Sequence, residues 1–120
     1  MLRPIPRRIL QSVAKVQVCS GIGLYQNQTF DEYTVNRVHV QPVSEVRKSK
    51  DNVEYSLNAV LFVDARLSSP RLDWVTLFKG AHDLGGDMII TIRDREYTVM
   101  SLDELRDDTD KLQHWELGLQ

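Results

Sequence analysis

The sequence predicts an all-β protein: a small β-barrel or β-sandwich of six to seven mostly antiparallel strands, with at most one short helix. Two observations support this prediction. Short segments rich in β-branched and aromatic residues recur along the chain, and clusters of turn-forming residues interrupt them at short intervals. At 120 residues the chain is long enough to bury its own core. We therefore expect residues 1–120 to form a single domain.

The first half of the chain contains three predicted strands. Val13–Cys19 alternates apolar and polar residues, which is typical of a strand with one buried face, and a polar loop is expected at Ser20–Asp31. Tyr33–Val43 is the second strand, where Pro42 predicts an edge position or a bulge. Tyr55–Arg66 is apolar on both faces of its middle part, so we expect it to be a central strand.

The second half begins with an ambiguous segment and continues into a β-meander. Leu72–Lys79 is too short for periodicity to distinguish a strand from a helical turn, and Gly80–Gly86 is expected to be a loop. Asp94 is the residue expected to adopt the left-handed backbone of a tight turn between the first two meander strands. The meander comprises Met88–Ile92, Tyr97–Leu102 and Leu112–Leu119.

Three polar segments are expected at the surface. Residues 1–9 contain Pro4 and Pro6, which favour extended backbone and predict an N-terminal arm. Residues 44–53 carry charges of both signs, residues 103–111 are mostly acidic, and both are expected to be exposed loops.

Composition limits the classes of partner. The net charge is 15 minus 17, or −2, which provides no overall attraction for nucleic acid or an anionic membrane. Cys19 is the single cysteine, so neither an intramolecular disulfide nor a cysteine-based zinc site is possible. No apolar run approaches the roughly 20 residues of a membrane span, and we expect no membrane association.

The sequence contains no recognisable catalytic or metal-binding pattern. His39, His82 and His114 are not spaced as metal ligands. Asp107–Asp110 lacks the glycine and the glutamate of a calcium-binding EF-hand loop, and Cys19 has no basic neighbour to activate it. We therefore expect no catalytic residue, no cofactor and no metal, and a protein that is not an enzyme.

An alternative hypothesis is an OB-like module that binds single-stranded nucleic acid. Such a site needs aromatic and basic residues interleaved on one strand face. Tyr33, Arg37 and His39 follow a period of two, and Arg93 and Arg95 lie in the meander. The acidic net charge weighs against this hypothesis. The other large aromatic residues lie among aliphatic ones, where we expect core positions: Trp74, Tyr97 and Trp115.

A series of short motifs is spread over most of the chain: Ile5–Arg8, Gln26–Phe30, Val38–Pro42, Leu57–Asp64, Ser68–Pro70, Gly86–Ile89 with Tyr97–Val99, and Lys111–Leu119. No single motif is specific, but their order and spacing together are. In this order they resemble the motifs of the minor capsid proteins of tailed phages and prophages of Gram-positive bacteria. Two departures are Asp94-Arg95, where the family usually has a glycine, and a longer Leu77–Gly86 segment.

This resemblance implies a structural role at the head–tail connection of a virion, similar to that of head-closure (stopper) proteins. It implies a homo-oligomeric ring, assembled in the bacterial host cytoplasm, that contacts portal or adaptor proteins and tail proteins. The ring would contact packaged DNA only in its channel. The three polar segments are the expected contact surfaces. The candidate interface residues are Arg3, Arg7, Arg8, Arg47, Lys48, Lys50, Asp51, Asp107, Asp108 and Asp110.

Overall fold

The fold was analysed in a computed structural model, which describes residues 10–48 and 51–120. This part of the chain contains six strands and one α-helix, as the all-β prediction requires. A short 3-10 turn, Leu24–Gln26, joins the first two strands. The elements are β1 Ser12–Ile22, β2 Gln28–Lys48, β3 Glu54–Asp64, α1 Trp74–Asp83, β4 Met88–Ile92, β5 Arg95–Arg106 and β6 Leu112–Leu119.

The strands form a closed antiparallel barrel in the order β1-β2-β3-β6-β5-β4. Pairing of β4 with β1 closes it, with Val16 opposite Ile90. The predicted meander is present, because β5 lies between β4 and β6. The predicted central strand β3 lies between β2 and β6. The pairing of β1 with β4, two strands far apart in the sequence, therefore makes the fold a closed barrel rather than a sandwich.

Apolar side chains from every strand fill the barrel. Trp74 and Ala81 of α1 join this core, and the helix packs against β1 and β5. Trp115 is also buried and Tyr97 packs against the core, as predicted. Cys19 is buried too. The largest fully buried side chains are Trp74, Leu57, Leu61, Met88, Ile90, Leu117, Leu119, Val16, Val35, Val38 and Val63.

Three predicted loops are wrong in their extent, because strands continue into them. β1 reaches Ile22 and β2 starts at Gln28, leaving only a short connection between them. β2 continues to Lys48, so of the predicted 44–53 loop only residues 51–53 are described outside the strands. β5 continues to Arg106, which leaves residues 107–111 as the turn. Most residues of these strand ends are exposed, so the ends lack the apolar alternation by which a strand is recognised.

The ambiguous segment after β3 is helical. α1 spans Trp74–Asp83, so it includes part of the predicted Gly80–Gly86 loop. Asp73 caps its start: one carboxylate oxygen accepts from the Thr76 amide at 3.3 Å and the other from the Thr76 hydroxyl at 2.8 Å. This cap and the burial of Trp74 explain why the segment is helical although its pattern was undecided.

Candidate interface surfaces

The ends of β2 and β3 form a two-stranded β-ribbon, described at residues 43–48 and 51–58, that extends beyond the barrel. β2 pairs with β1 only as far as Val38, and β3 pairs with β6 only from Ala59 onward. Between these limits β2 and β3 pair only with each other in the described part of the chain, up to Lys48 opposite Glu54. A register shift after Pro42, the bulge that this proline predicted, marks the point where the ribbon leaves the barrel.

The β2–β3 ribbon exposes apolar side chains. Val46 is 69% exposed and Val53 is 61% exposed. At the base, Leu57 is buried in the barrel, and the Gln120 side chain donates to the Ser56 hydroxyl at 3.3 Å. An isolated hairpin is at best marginally stable in water, and its open edges can pair with another chain.

The structure brings three of the predicted interface residues together on this ribbon. The Arg47 guanidinium lies 3.0 Å from the Glu45 carboxylate on one ribbon face. Lys48 faces Glu54 across the two strands, and Asp51 is exposed at the tip. Exposed pairs of this kind contribute only about 0–1 kcal/mol each, so they orient partners more than they stabilise them.

Asp107 has a structural role in its own turn, and the interface role expected for it stays a prediction. One carboxylate oxygen accepts from the Thr109 amide at 2.9 Å, the Thr109 hydroxyl at 2.7 Å and the Lys111 amide at 3.0 Å. The other accepts from the Gln113 side chain at 3.0 Å. These hydrogen bonds lower the pKa of Asp107 from 3.8 to about 2. The bond from the Thr109 hydroxyl has the largest effect, and the bond from the Lys111 amide has the next largest.

Asp108 and Asp110 of the same turn are exposed. Asp110 adopts a left-handed backbone, with φ of 65°, and its carbonyl accepts from the Arg106 guanidinium at 3.0 Å. These two carboxylates are therefore the part of the acidic turn that faces outward. Four further candidates, Arg3, Arg7, Arg8 and Lys50, lie outside the described residues, as does the predicted arm 1–9.

The ribbon and the acidic turn lie at opposite ends of the barrel. β3 and β6 are antiparallel, with Ala59 opposite Leu119 and Asp64 opposite His114. The ribbon extends β3 past the Leu119 end, whereas residues 107–111 precede β6 at the His114 end. One chain therefore presents its two groups of candidate residues in opposite directions.

The face predicted for nucleic-acid binding does not exist as a continuous surface. Arg37 has a left-handed backbone, with φ of 58°, and the register of β1 with β2 shifts next to it. Tyr33 lies opposite the buried Val16 and packs against the core. His39 lies opposite Phe62, and the two rings stack with centroids 5.8 Å apart. The prediction that Tyr33 and His39 share a face is wrong, because a bulge reverses the alternation.

Sequence reasoning missed the two exposed valines of the ribbon. Val46 and Val53 are isolated apolar residues within a charged tract, and that contrast is the signal that would have identified them. Among residues 10–48 and 51–120, no group of three or more His, Cys, Asp or Glu residues is placed to hold a metal ion. In the same ranges no helix is both long enough and apolar enough to cross a membrane.

No protein-family model matches this chain, and no curated protein matches it. The motifs of the sequence and the geometry of these surfaces are therefore what support a function.

Proposed function

We propose that this chain is a structural subunit of the head–tail connector of a phage or prophage. Copies of the chain form a ring that joins portal or adaptor proteins to the tail and helps to retain packaged DNA. The subunit is assembled in the bacterial host cytoplasm and resides in the virion at the head–tail junction. Its role is structural rather than catalytic. The motif resemblance supports this proposal, and the β2–β3 ribbon is the structural observation that carries it.

A ring requires one surface of a subunit to fit a different surface of the next subunit. The ribbon at one end of the barrel and the turn at residues 107–111 at the other end supply two such different surfaces. Contacts between unlike surfaces repeat from copy to copy, and they close into a ring when the rotation per subunit allows it.

Burial of the exposed ribbon side chains supplies the driving force for this contact. Val46 and Val53 are largely exposed in the single chain, and full burial of a valine contributes about 1.5–3 kcal/mol. The outer backbone edges of β2 at residues 43–48 and of β3 at residues 54–58, which pair with no third strand among the described residues, can also add hydrogen bonds to a neighbouring strand. Arg47, Lys48 and Asp51 surround these valines and set the register of the contact.

An assembly experiment tests the proposal. The wild-type protein, alone and mixed with the portal protein of the same phage, is examined by light scattering over a concentration series and by negative-stain electron microscopy. We expect rings. The double variant Val46→Lys/Val53→Lys should remain monomeric, because it places two charges in the contact. The control is Val75→Lys, which makes the same substitution at a valine on α1 that is 41% exposed. This variant should still form rings.

Antibody–gold labelling of particles from the source strain provides the second readout. Label between head and tail is the expected result. A monomer under all conditions, together with particles that carry no label, contradicts the proposal.

The alternative function, single-strand nucleic-acid binding, retains one supporting observation, the stack of His39 on Phe62. It predicts salt-sensitive binding of an oligothymidylate that Phe62→Ala weakens, since stacking on an aromatic ring contributes about 1–3 kcal/mol per base. A connector subunit predicts no such binding.

A further inference from the structure

A cationic cleft lies at the barrel end opposite the ribbon. Its volume is about 320 Å³. It separates the segment that follows β3 from the turn at residues 107–111. Its principal lining residues are Arg66, Arg71, Lys111, Asp64, Ala65 and Leu112.

Hydrogen bonds hold the backbone of the first wall in place. One Asp64 carboxylate oxygen accepts from the Arg66 and Leu67 amides, each at 2.8 Å. The Ser68 hydroxyl accepts from the Asp64 amide at 2.9 Å. The Ala65 amide donates to the Gln113 carbonyl at 3.0 Å and thereby ties this wall to β6. These hydrogen bonds therefore fix the backbone that carries Arg66.

Hydrogen bonds also hold the backbone of the second wall, the turn at residues 107–111, in place. The Asp107 amide donates to the Lys111 carbonyl at 2.9 Å, and the Asp107 carboxylate accepts from the Lys111 amide at 3.0 Å. The Gln113 side chain, which also lines the cleft, donates to the same carboxylate at 3.0 Å. Lys111 therefore extends from a backbone position that is fixed before any ligand binds, which lowers the entropy cost of binding.

The three cations of the cleft have no ion-pair partner among the described residues. The ion pairs in that part of the chain involve Lys15, Arg47, Arg106 and His114 instead. Asp64 is the single carboxylate that lines the cleft; it is 3% exposed, and backbone amides already occupy one of its oxygens. Three positive charges minus one negative charge leave a formal charge of +2.

We propose that this cleft binds a dianionic oxyanion, namely free phosphate or the phosphate monoester of a larger ligand. The charge of the ligand matches the formal charge of the cleft. The guanidinium groups of Arg66 and Arg71 present paired N–H donors suited to bidentate contact with phosphate oxygens, and Lys111 adds a point charge. The cleft volume lies at the lower end of the range of small-ligand sites, which suits a small ligand. Ala65 and Leu112 contribute apolar surface to the lining.

The test uses the full chain and inorganic phosphate at constant ionic strength, followed by NMR of the backbone amides. We expect saturable shifts at Arg66, Arg71 and Lys111. Arg66→Gln/Arg71→Gln should raise Kd by about tenfold or more, since hydrogen bonds to charged groups contribute roughly 1.5–3 kcal/mol. The matched control is Lys79→Gln, which removes one exposed positive charge from α1 and should leave Kd unchanged.

Two further ligands distinguish the sources of the phosphate. A trinucleotide with a 5′-phosphate that binds more tightly than inorganic phosphate identifies the end of a nucleic acid as the source. Equal binding of this trinucleotide and inorganic phosphate shows that the phosphate group itself is sufficient. Tighter binding and equal binding both support the site. A trinucleotide with a 5′-hydroxyl should not bind, because its diester groups carry single charges. Equal binding of both trinucleotides, non-saturable shifts, or equal weakening by Lys79→Gln overturns the proposal.

Discussion

Gly118 of β6 has no room for a β-carbon. Such a carbon would lie too close to the Ser101 hydroxyl of β5 and 3.1 Å from both methyl carbons of Leu57. We therefore expect Gly118→Ala to lower the free energy of unfolding by about 1–3 kcal/mol, because the added methyl overpacks the contact between strands. Urea denaturation followed by tryptophan fluorescence measures this change.

The same substitution at Gly80 is the matched control. Gly80 lies inside α1, and a β-carbon there would meet no atom within 4 Å. Gly80→Ala should therefore raise the free energy of unfolding by about 0.5–1 kcal/mol through helix propensity. Changes of the same sign at both positions would show that crowding at Gly118 is not the cause.

The lowered pKa of Asp107 predicts how the stability of the protein depends on pH. Its folded pKa of about 2 is lower than the ordinary 3.8, so the charged form is favoured by the fold. The stabilisation it provides is fully present above the ordinary pKa and is lost as the pH falls through about 2. NMR titration of the Thr109 and Lys111 amides should show a midpoint near 2. Exposed Asp108 is the comparison group in the same experiment, and a midpoint near 3.8 for Asp107 would contradict its structural role.

At the scale of elements, the β4–β5 hairpin shows how a short turn is formed without glycine. Both turn residues have left-handed backbones, with φ of 52° at Arg93 and 63° at Asp94. This confirms the prediction for Asp94 and matches the two positive φ angles of a type I′ turn. Left-handed backbone costs a residue with a β-carbon roughly 1–2 kcal/mol, and less for aspartate.

This cost predicts that the turn can be improved. Arg93→Asn/Asp94→Gly should raise the free energy of unfolding by about 1 kcal/mol, because asparagine and glycine adopt the type I′ angles with less strain. Thermal unfolding by circular dichroism measures the effect. The reversed order, Arg93→Gly/Asp94→Asn, serves as a control of equal composition and should gain less. Destabilisation by Asn-Gly would mean that the Arg93 or Asp94 side chain makes a stabilising contact.

For the whole molecule, the structure consists of a closed barrel and a ribbon that extends beyond it, and we expect the barrel to fold without the outer part of the ribbon. In the described chain Arg47 pairs with Tyr55 and Lys48 with Glu54, and most residues of 47–48 and 51–55 are exposed. Replacement of 47–55 by Asn-Gly closes the hairpin at Val46 and Ser56, which lie opposite each other. We expect the free energy of unfolding to change by less than about 1 kcal/mol, since little buried area is lost.

The same variant should lose ring formation completely. Light scattering and chemical denaturation, measured on the same preparations, separate the two effects. A variant that unfolds far more easily would place the ribbon in the folding unit. A stable variant that still forms rings would remove the ribbon from the proposed contact.

Charge in the sequence indicated which candidate residues are exposed, and their role in an interface stays a prediction. Arg47, Lys48 and Asp51 do lie together on one exposed element, and Asp108 and Asp110 do face outward. Asp107 could not be distinguished from them, because its hydrogen bonds to Thr109, Lys111 and Gln113 depend on the shape of the turn. The cationic cleft was not predicted, since Arg66, Arg71 and Lys111 belong to segments that only the pairing of β3 with β6 brings together.

The sequence by itself determined the strands with one buried face, the core positions of Trp74 and Trp115, and the turn at Asp94. Each of these depends on the alternation or backbone preference of adjacent residues, which the sequence records directly. Only the tertiary structure decided the remaining features: closure of the barrel through β1 and β4, the helix at α1, the ribbon and the bulge at Arg37. These depend on which distant segments pair, and no local pattern contains that information.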